Sequence, residues 1–257
     1  MPDRLLISAR RALLLAGALA PFAPALAAER RTVIALFGSS ADRIEGSGRV
    51  VDEPRSVTGF TRLIVQGPLD VVVRAADEDR VVVHADDNIA PLIETSLLGS
   101  TLVVGVRSGV AFRTRTNPKV RLQARQLAGV VLRGSGDVRV DRVDGDLLET
   151  TLQGSGDIVV DSAHVKAVAV SIAGNGDVRI KGSATTLGVV LDGSGDVHCA
   201  DLAAQQVAVR IRGSGDVRVH ATEELKVDVD GSGDVRYRGS PKITKSIRGS
   251  GSVTALR

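Results

Sequence analysis

The sequence predicts an all-β chain wound as a right-handed parallel β-helix, a solenoid with coils of about 18–20 residues. Three observations predict it. A Gly-Ser/Asn-Gly-Asp-Val/Ile pentad starts at Gly134, Gly154, Gly174, Gly193, Gly213 and Gly231, and a seventh copy starts at Gly249, where Ser252 replaces the aspartate. The copies are 20, 20, 19, 20, 18 and 18 residues apart. Apolar residues alternate with period two on both sides of the pentad, the mark of strands with one buried face. The apolar set is Val, Leu, Ile and Ala, with no Trp, 1 Tyr and 4 Phe beside 28 Gly. Such a composition suits many short strands better than helices.

The N-terminus comes first in chain order. Arg4, Arg10 and Arg11 precede an apolar run over residues 12–20, which is followed by Pro21, Pro24 and the triplet Ala25-Leu26-Ala27. A charged region, a short apolar region and a small-residue site together predict a signal peptide over residues 1–27. The mature protein is therefore expected outside the cytoplasm of a bacterium: periplasmic, at the cell surface or secreted. The run is too short to cross the ~30 Å bilayer core as a helix, and no membrane span is expected in the mature chain. No cysteine follows the run, so no lipoprotein anchor is expected. Arg10-Arg11 suits the twin-arginine route, although Ser8-Ala9 and Ala12-Leu13 depart from that motif; both export routes stay open. Residues 28–49 read as a flexible lead-in.

The formal charge of +3 falls to roughly +1 once residues 1–27 are removed, because Arg4, Arg10 and Arg11 leave with Asp3. Acids and bases are interleaved. Nucleic acid is not an expected partner, since that would call for a basic stripe and stacking aromatics. The single cysteine, Cys199, occupies the repeat position held elsewhere by Val140, Val160, Ile180 and Val219, and reads as a core residue.

The β-helix domain is expected over residues 50–257, with irregular coils over 50–128 and regular ones over 129–257. In the irregular part, alternation predicts strands at 62–65, 70–74, 80–85, 101–106 and 119–124. Gly67-Pro68-Leu69-Asp70-Val71 keeps the Gly, Asp and Val offsets of the pentad and reads as a degenerate coil. The 67 residues from Gly67 to Gly134 would accommodate three coils slightly longer than the later ones. A small separate β domain is the alternative.

Each regular coil has an alternating lead-in such as Val130-Val131-Leu132, the pentad, a second alternating segment such as Val138-Arg139-Val140, and a variable return. Stacking near-identical coils pairs parallel strands at ~4.8 Å and builds a core that no single coil could make. Pentad glycines permit positive φ and close approach of stacked backbones. The fifth residue points inward, so the aspartate beside it points outward. This makes a column: Asp137, Asp157, Asp177, Asp196, Asp216 and Asp234.

Carboxylates at ~4.8 Å repel by about 1 kcal/mol in water and about 3.5 kcal/mol at an effective dielectric of 20. Two positions further on stand Arg139, Val159, Arg179, His198, Arg218 and Arg236, predicting an arginine column that offsets the acids. Turn amides could bond the carboxylates as well. A calcium-binding repeat is the rival reading. Calcium nonapeptides, however, have about half this period, and an adjacent arginine disfavours a cation. No cofactor, metal or catalytic residue is assigned.

Arg55-Ser56-Val57-Thr58-Gly59-Phe60, Leu63-Ile64-Val65, Leu69-Asp70-Val71-Val72-Val73, Asp86-Asp87-Asn88-Ile89, Leu102-Val103-Val104 and the pentad series resemble the head GIN domain family. That family is a domain of unknown function labelled an auto-transporter adhesin. The resemblance covers about residues 50–253 and implies an exported bacterial β-helix. It brings no catalytic residues. An autotransporter also carries a translocator barrel with aromatic girdles; a sequence ending at Arg257 and poor in aromatics is expected to supply at most a passenger-like head.

The expected function is a structural or interaction module of the cell envelope, adhesin-like and without catalysis. Its partner would be an envelope protein or a glycan. The alternative is a β-helix that binds or cleaves polysaccharide. Cleavage needs a localised acid or base cluster that breaks the repeat, whereas these acids are periodic and His84, His164, His198 and His220 share no spacing. Solenoid ends expose strand edges, so pairing of copies through an end is a further possibility, with Pro241 and nearby charges as a cap against it.

Overall fold

The computed structural model describes residues 43–256, and the expected signal peptide lies outside them. The chain is a parallel β-helix whose first levels are laid down out of chain order. Strands β1 (Ile44–Glu45) and β2 (Val50–Arg55) lead to β3 (Arg62–Gln66), β4 (Asp70–Ala75) and β5 (Arg80–Asp86). A 3-10 turn at Ala90–Leu92 precedes β6 (Ile93–Leu98), β7 (Thr101–Val106), β8 (Phe112–Arg113) and β9 (Lys119–Ala124). The first regular pentad is flanked by β10 (Gly129–Gly134) and β11 (Val138–Val140).

The degenerate coil at Gly67 is a true level of the stack. It lies directly against the Gly134 coil: Leu63 pairs with Val130, Val65 with Leu132, and Val71 with Val138, all parallel. The 67 residues from Gly67 to Gly134, expected to wind as three successive coils, do not do so. The intervening chain passes to the other side of the Gly67 level, where β7 pairs with β3 and β9 with β4, again parallel. The remainder forms antiparallel partners: β6 covers β7, β5 covers β9, and β2 covers β5. This closes the N-terminal end of the helix. All five strands expected in this region occur. Those at Val50–Arg55 and Ile93–Leu98 were not anticipated, because neither alternates cleanly: the first contains Pro54, and the second is mostly exposed.

From here each coil stacks on the last. Strands β12 (Val143–Gly154), β13 (Ile158–Gly174), β14 (Val178–Gly193), β15 (Val197–Gly213) and β16 (Val217–Gly231) are followed by β17 (Val235–Arg238), β18 (Lys242–Gly249) and β19 (Val253–Ala255). The variable return segments expected from the sequence are themselves paired strand. Small register shifts absorb the differences in spacing. Between Val160 and Ala163 the next coil uses one residue fewer, and between Arg179 and Gly182 the next uses one more. Two shifts, at Cys199/Ala203 and Ala204/Gln206, together remove two residues and convert the 20-residue coil into an 18-residue one.

The core follows from this register. Val65, Leu132, Leu152, Ile172, Leu191, Ile211 and Val229 form one buried column, and Val71, Val138, Ile158, Val178, Val197, Val217 and Val235 another. Each such side chain contributes about 1.5–3 kcal/mol on burial. Cys199 is fully buried opposite Val219, as its position predicts. Burial pushes its thiol up to about 12, so thiolate chemistry is closed to it.

Candidate interaction face

The aspartate column points outward at the turn, but its main partner is not arginine. Each Oδ1 accepts a hydrogen bond from the backbone amide of the aspartate one coil later. Asp157 N donates to Asp137 at 3.0 Å, Asp177 N to Asp157 at 3.0 Å, Asp196 N to Asp177 at 2.9 Å, Asp216 N to Asp196 at 2.9 Å and Asp234 N to Asp216 at 3.0 Å. The row begins at the degenerate coil, where Asp137 N donates to Asp70 at 3.2 Å. It ends where both N and Oγ of Ser252 donate to Asp234, at 2.9 and 2.8 Å. Hydrogen bonds to charged acceptors contribute about 1.5–3 kcal/mol, more than the repulsion of about 1 kcal/mol between neighbouring carboxylates in water. The loss of aspartate in the seventh copy is thus a termination: serine still donates to the coil before it.

The arginine column corrects the sequence reading. Arg139 turns away from the aspartate column and holds Asp161 through two bonds of 2.9 and 3.0 Å. Among the described residues, Arg236 is the one arginine that bridges column aspartates, Asp216 at 3.4 Å and Asp234 at 3.5 Å. Arg179 and Arg218 form no ion pair among the described residues. His198 stands between them in register. Although it stands in the outward column, it is only 19% exposed. Its Nδ1 lies 2.9 Å from the Arg218 guanidinium, and its Nε2 lies 3.9 Å from Asp177. Burial, then Arg218 and Arg179, hold its pKa below the ordinary imidazole value, so the ring is neutral at pH 7 and Nδ1 accepts.

A second charged surface escaped the sequence reading. On the lead-in strands, Asp192, Arg212, Asp230 and Arg248 occupy one register column with alternating sign, beside Arg210 opposite Asp228. Arg212 reaches Asp192 at 3.6 Å, and Asp228 receives Arg210 at 3.6 Å and Arg248 at 3.5 Å. Opposite charges facing across strands favour this stacking. The signal lay in comparing aligned positions between coils rather than neighbours within one.

The residues shared with the head GIN pattern near the N-terminal end are structural. Asp86 is fully buried and accepts from the hydroxyls of Thr114 and Thr116, each at 2.6 Å. These bonds hold its carboxyl below the ordinary value. Asp87 receives Ser47 and Arg49, Asn88 Oδ1 accepts from Ser47 N at 2.9 Å, and Asn88 Nδ2 donates to Glu45 O at 2.8 Å. Residues 43–49, read as part of a flexible lead-in, are therefore tied down, with β1 paired to β8; residues 28–42 lie outside the described part. Arg55 donates to the carbonyls of Ala90 and Ile93 at 2.8 and 3.2 Å, and Phe60 is buried.

Of the other histidines, His84 sits 2.6 Å from Asp52, and His164 contacts Ser162 and Ser183. Among the described residues no group of three or more His, Cys, Asp or Glu is arranged to hold a metal ion, and no helix is long and apolar enough to cross a membrane. A polar recess of about 340 Å³ opens between Ala75, Asp77, Arg125, Arg142 and Asp144.

Solved structures share the fold. The chain is similar to a putative adhesin from Bacteroides fragilis NCTC 9343, with 24% identity over 83% of this chain and 100% of that one, at a TM-score of 0.78. It is similar to a putative lipid binding protein from Parabacteroides distasonis ATCC 8503, with 23% identity, 84% and 100% coverage and a TM-score of 0.71. A putative adhesin from Parabacteroides merdae ATCC 43184 aligns at 20% identity, 84% and 100% coverage and a TM-score of 0.68. No curated protein matches the sequence. The family described as "Putative auto-transporter adhesin, head GIN domain" matches residues 59–241, and the chain belongs to that family.

Proposed function

We propose that the protein is an exported structural and interaction module of the bacterial cell envelope, adhesive in use and without a catalytic step. The observation that carries the reading is the unbroken display of aligned outward side chains along the stack, ordered from Asp70 to Ser252 by one hydrogen-bond row. A rigid array of identical positions suits repeated contacts with an extended partner, as solenoid surfaces do elsewhere. The family description supports adhesion, and the charged and apolar N-terminal residues support export.

The absence of catalysis is supported by what the perturbed groups do. Asp86 is engaged by threonine hydroxyls, Asp87 by Ser47 and Arg49, and Cys199 is sealed in the core. None of the three lines the polar recess that opens beside Asp77 and Asp144.

The test is a deletion strain compared with wild type for attachment, together with a pull-down from envelope extracts using the mature protein. Reduced attachment and specific retention of an envelope component are expected. Unchanged attachment with nothing retained overturns the reading, and measurable depolymerisation of a polysaccharide by the purified protein overturns its non-catalytic part.

A further inference from the structure

One strand in the side of the stack is paired along part of one edge only. Strand β12 meets β13 over Val143–Gly154, but meets β10 only from Glu149 onward. Its first six residues, Val143–Leu148, have no strand partner toward the N-terminal end among the described residues. The cause lies one level below. The Gly67 level ends at Ala75, and the chain then turns back into β5 without laying a return segment on this side. The place left free is the recess of about 340 Å³, whose wall includes the buried Val73, Leu127 and Val143. Above it runs a free strand edge of about 20 Å.

A free strand edge is a template for another polypeptide, because only a peptide backbone repeats donors and acceptors at its spacing. Other edges of this molecule are blunted. β2 carries Pro54, and β18 sets Lys245 in register with the buried Val227, an inward-pointing charge. The Val143–Leu148 edge has neither proline nor inward charge. Its inward positions are the buried Val143 and Leu148, with Gly145 between them in register with the buried Val165. A Cβ built on Gly145 would meet nothing within 4 Å, so an apolar side chain from an adjoining strand has room there.

The chain itself shows which sequence suits this strand. On the paired side, β13 places His164 opposite Asp144 and Val165 opposite Gly145, and Lys166 holds Asp146 at 2.7 Å. The recess is electrically balanced, Asp77 and Asp144 against Arg125 and Arg142, so net charge selects nothing. The selection comes from register: two exposed acids flank an inward position with room for an apolar side chain, and opposite charges facing across strands favour pairing. We propose that Val143–Leu148 and the recess below it form a docking site for an extended segment of a partner polypeptide. That segment adds as a strand and alternates basic, apolar and basic residues, as His164-Val165-Lys166 does on the other side. This rests on the reading of the protein as an interaction module and gives one of its contacts a place and a chemistry.

The experiment titrates the mature protein with a capped synthetic peptide of the chain's own residues 162–169, followed by backbone-amide NMR and hydrogen exchange. The peptide is expected to shift the amides of Val143–Leu148 and to slow their exchange, leaving those of β18 unmoved. The same peptide carrying His164→Glu and Lys166→Glu should bind about fivefold or more weakly. In the protein, Asp144→Asn with Asp146→Asn should weaken the unaltered peptide by about fivefold or more, while Asp192→Asn with Asp228→Asn leaves it within about twofold. No shift at Val143–Leu148, equal binding of both peptides, or equal weakening by both double variants overturns the proposal. Shifts of the same amides with protein concentration alone would make a second copy the occupant and overturn it too. If the peptide fails while an envelope component is still retained in the pull-down, the interaction module stands and only this docking site falls.

Discussion

A methyl group added at Gly174 would lie 2.1 Å from the carbonyl oxygen of Gly154, on a backbone whose φ of +152° already excludes most side chains. At the third pentad position the conflict is with the coil below: a Cβ on Gly176 would meet Gly156 O at 1.9 Å. The pentad glycines are thus set by the distance between coils, which is why they recur whenever a turn lies directly over another. Gly174→Ala is expected to destabilise the protein by about 1–3 kcal/mol through backbone strain alone, with the clash adding to it. Gly188→Ala, whose Cβ would have nothing nearer than 4.0 Å, is the control and should be close to neutral. Denaturant midpoints of the two variants check the difference. The pentad's geometry was legible in the sequence because every copy repeats it. The direction of its aspartate bond was not, since the partner amide lies 18–20 residues away and any turn amide would have satisfied the same rule.

At the scale of the element, the segment from Asp86 to Ile89 decides how the N-terminal levels close. Asp86 draws in Thr114 and Thr116, Asp87 and Asn88 draw in residues 45–49, and Ile89 enters the core before the turn at Ala90–Leu92. Hydrogen bonds depress the Asp86 carboxyl below its ordinary value, so its contribution is complete above about pH 4 and is lost as pH falls further. Asp86→Ala should cost about 1–3 kcal/mol at pH 7 by taking the shared acceptor away from the half-buried Thr114 and Thr116 hydroxyls. The deficit relative to wild type should shrink below pH 4, and melting curves at pH 7 and pH 3 measure both. Strand positions in this region were readable from alternation. Their pairing was not: nothing local distinguishes β5, which runs antiparallel to both its neighbours, from β4, which runs parallel to both of its own.

For the whole molecule, the two ends differ. The N-terminal end is closed by antiparallel strands, while β18 and β19 each have one partner among the described residues. The open edge carries Lys242, Lys245 and Arg248, and charge of one sign on an edge strand discourages pairing with another copy. Lys242→Val with Lys245→Val is expected to give a concentration-dependent assembly larger than the wild-type protein, read by light scattering; a variant that scatters like wild type would show that the lysines do not guard the edge. The out-of-order layering has a further consequence. Because the Gly67 level is held between the level formed by β7 and β9 and the Gly134 level, removing residues from the front of the domain would extract a middle layer, not trim an outer one. Loss or duplication of a coil beyond Gly154 changes only the number of similar steps. The architecture therefore admits a change of length on one side of a fixed foundation only: the array can lengthen or shorten like a ladder hung from its top rung.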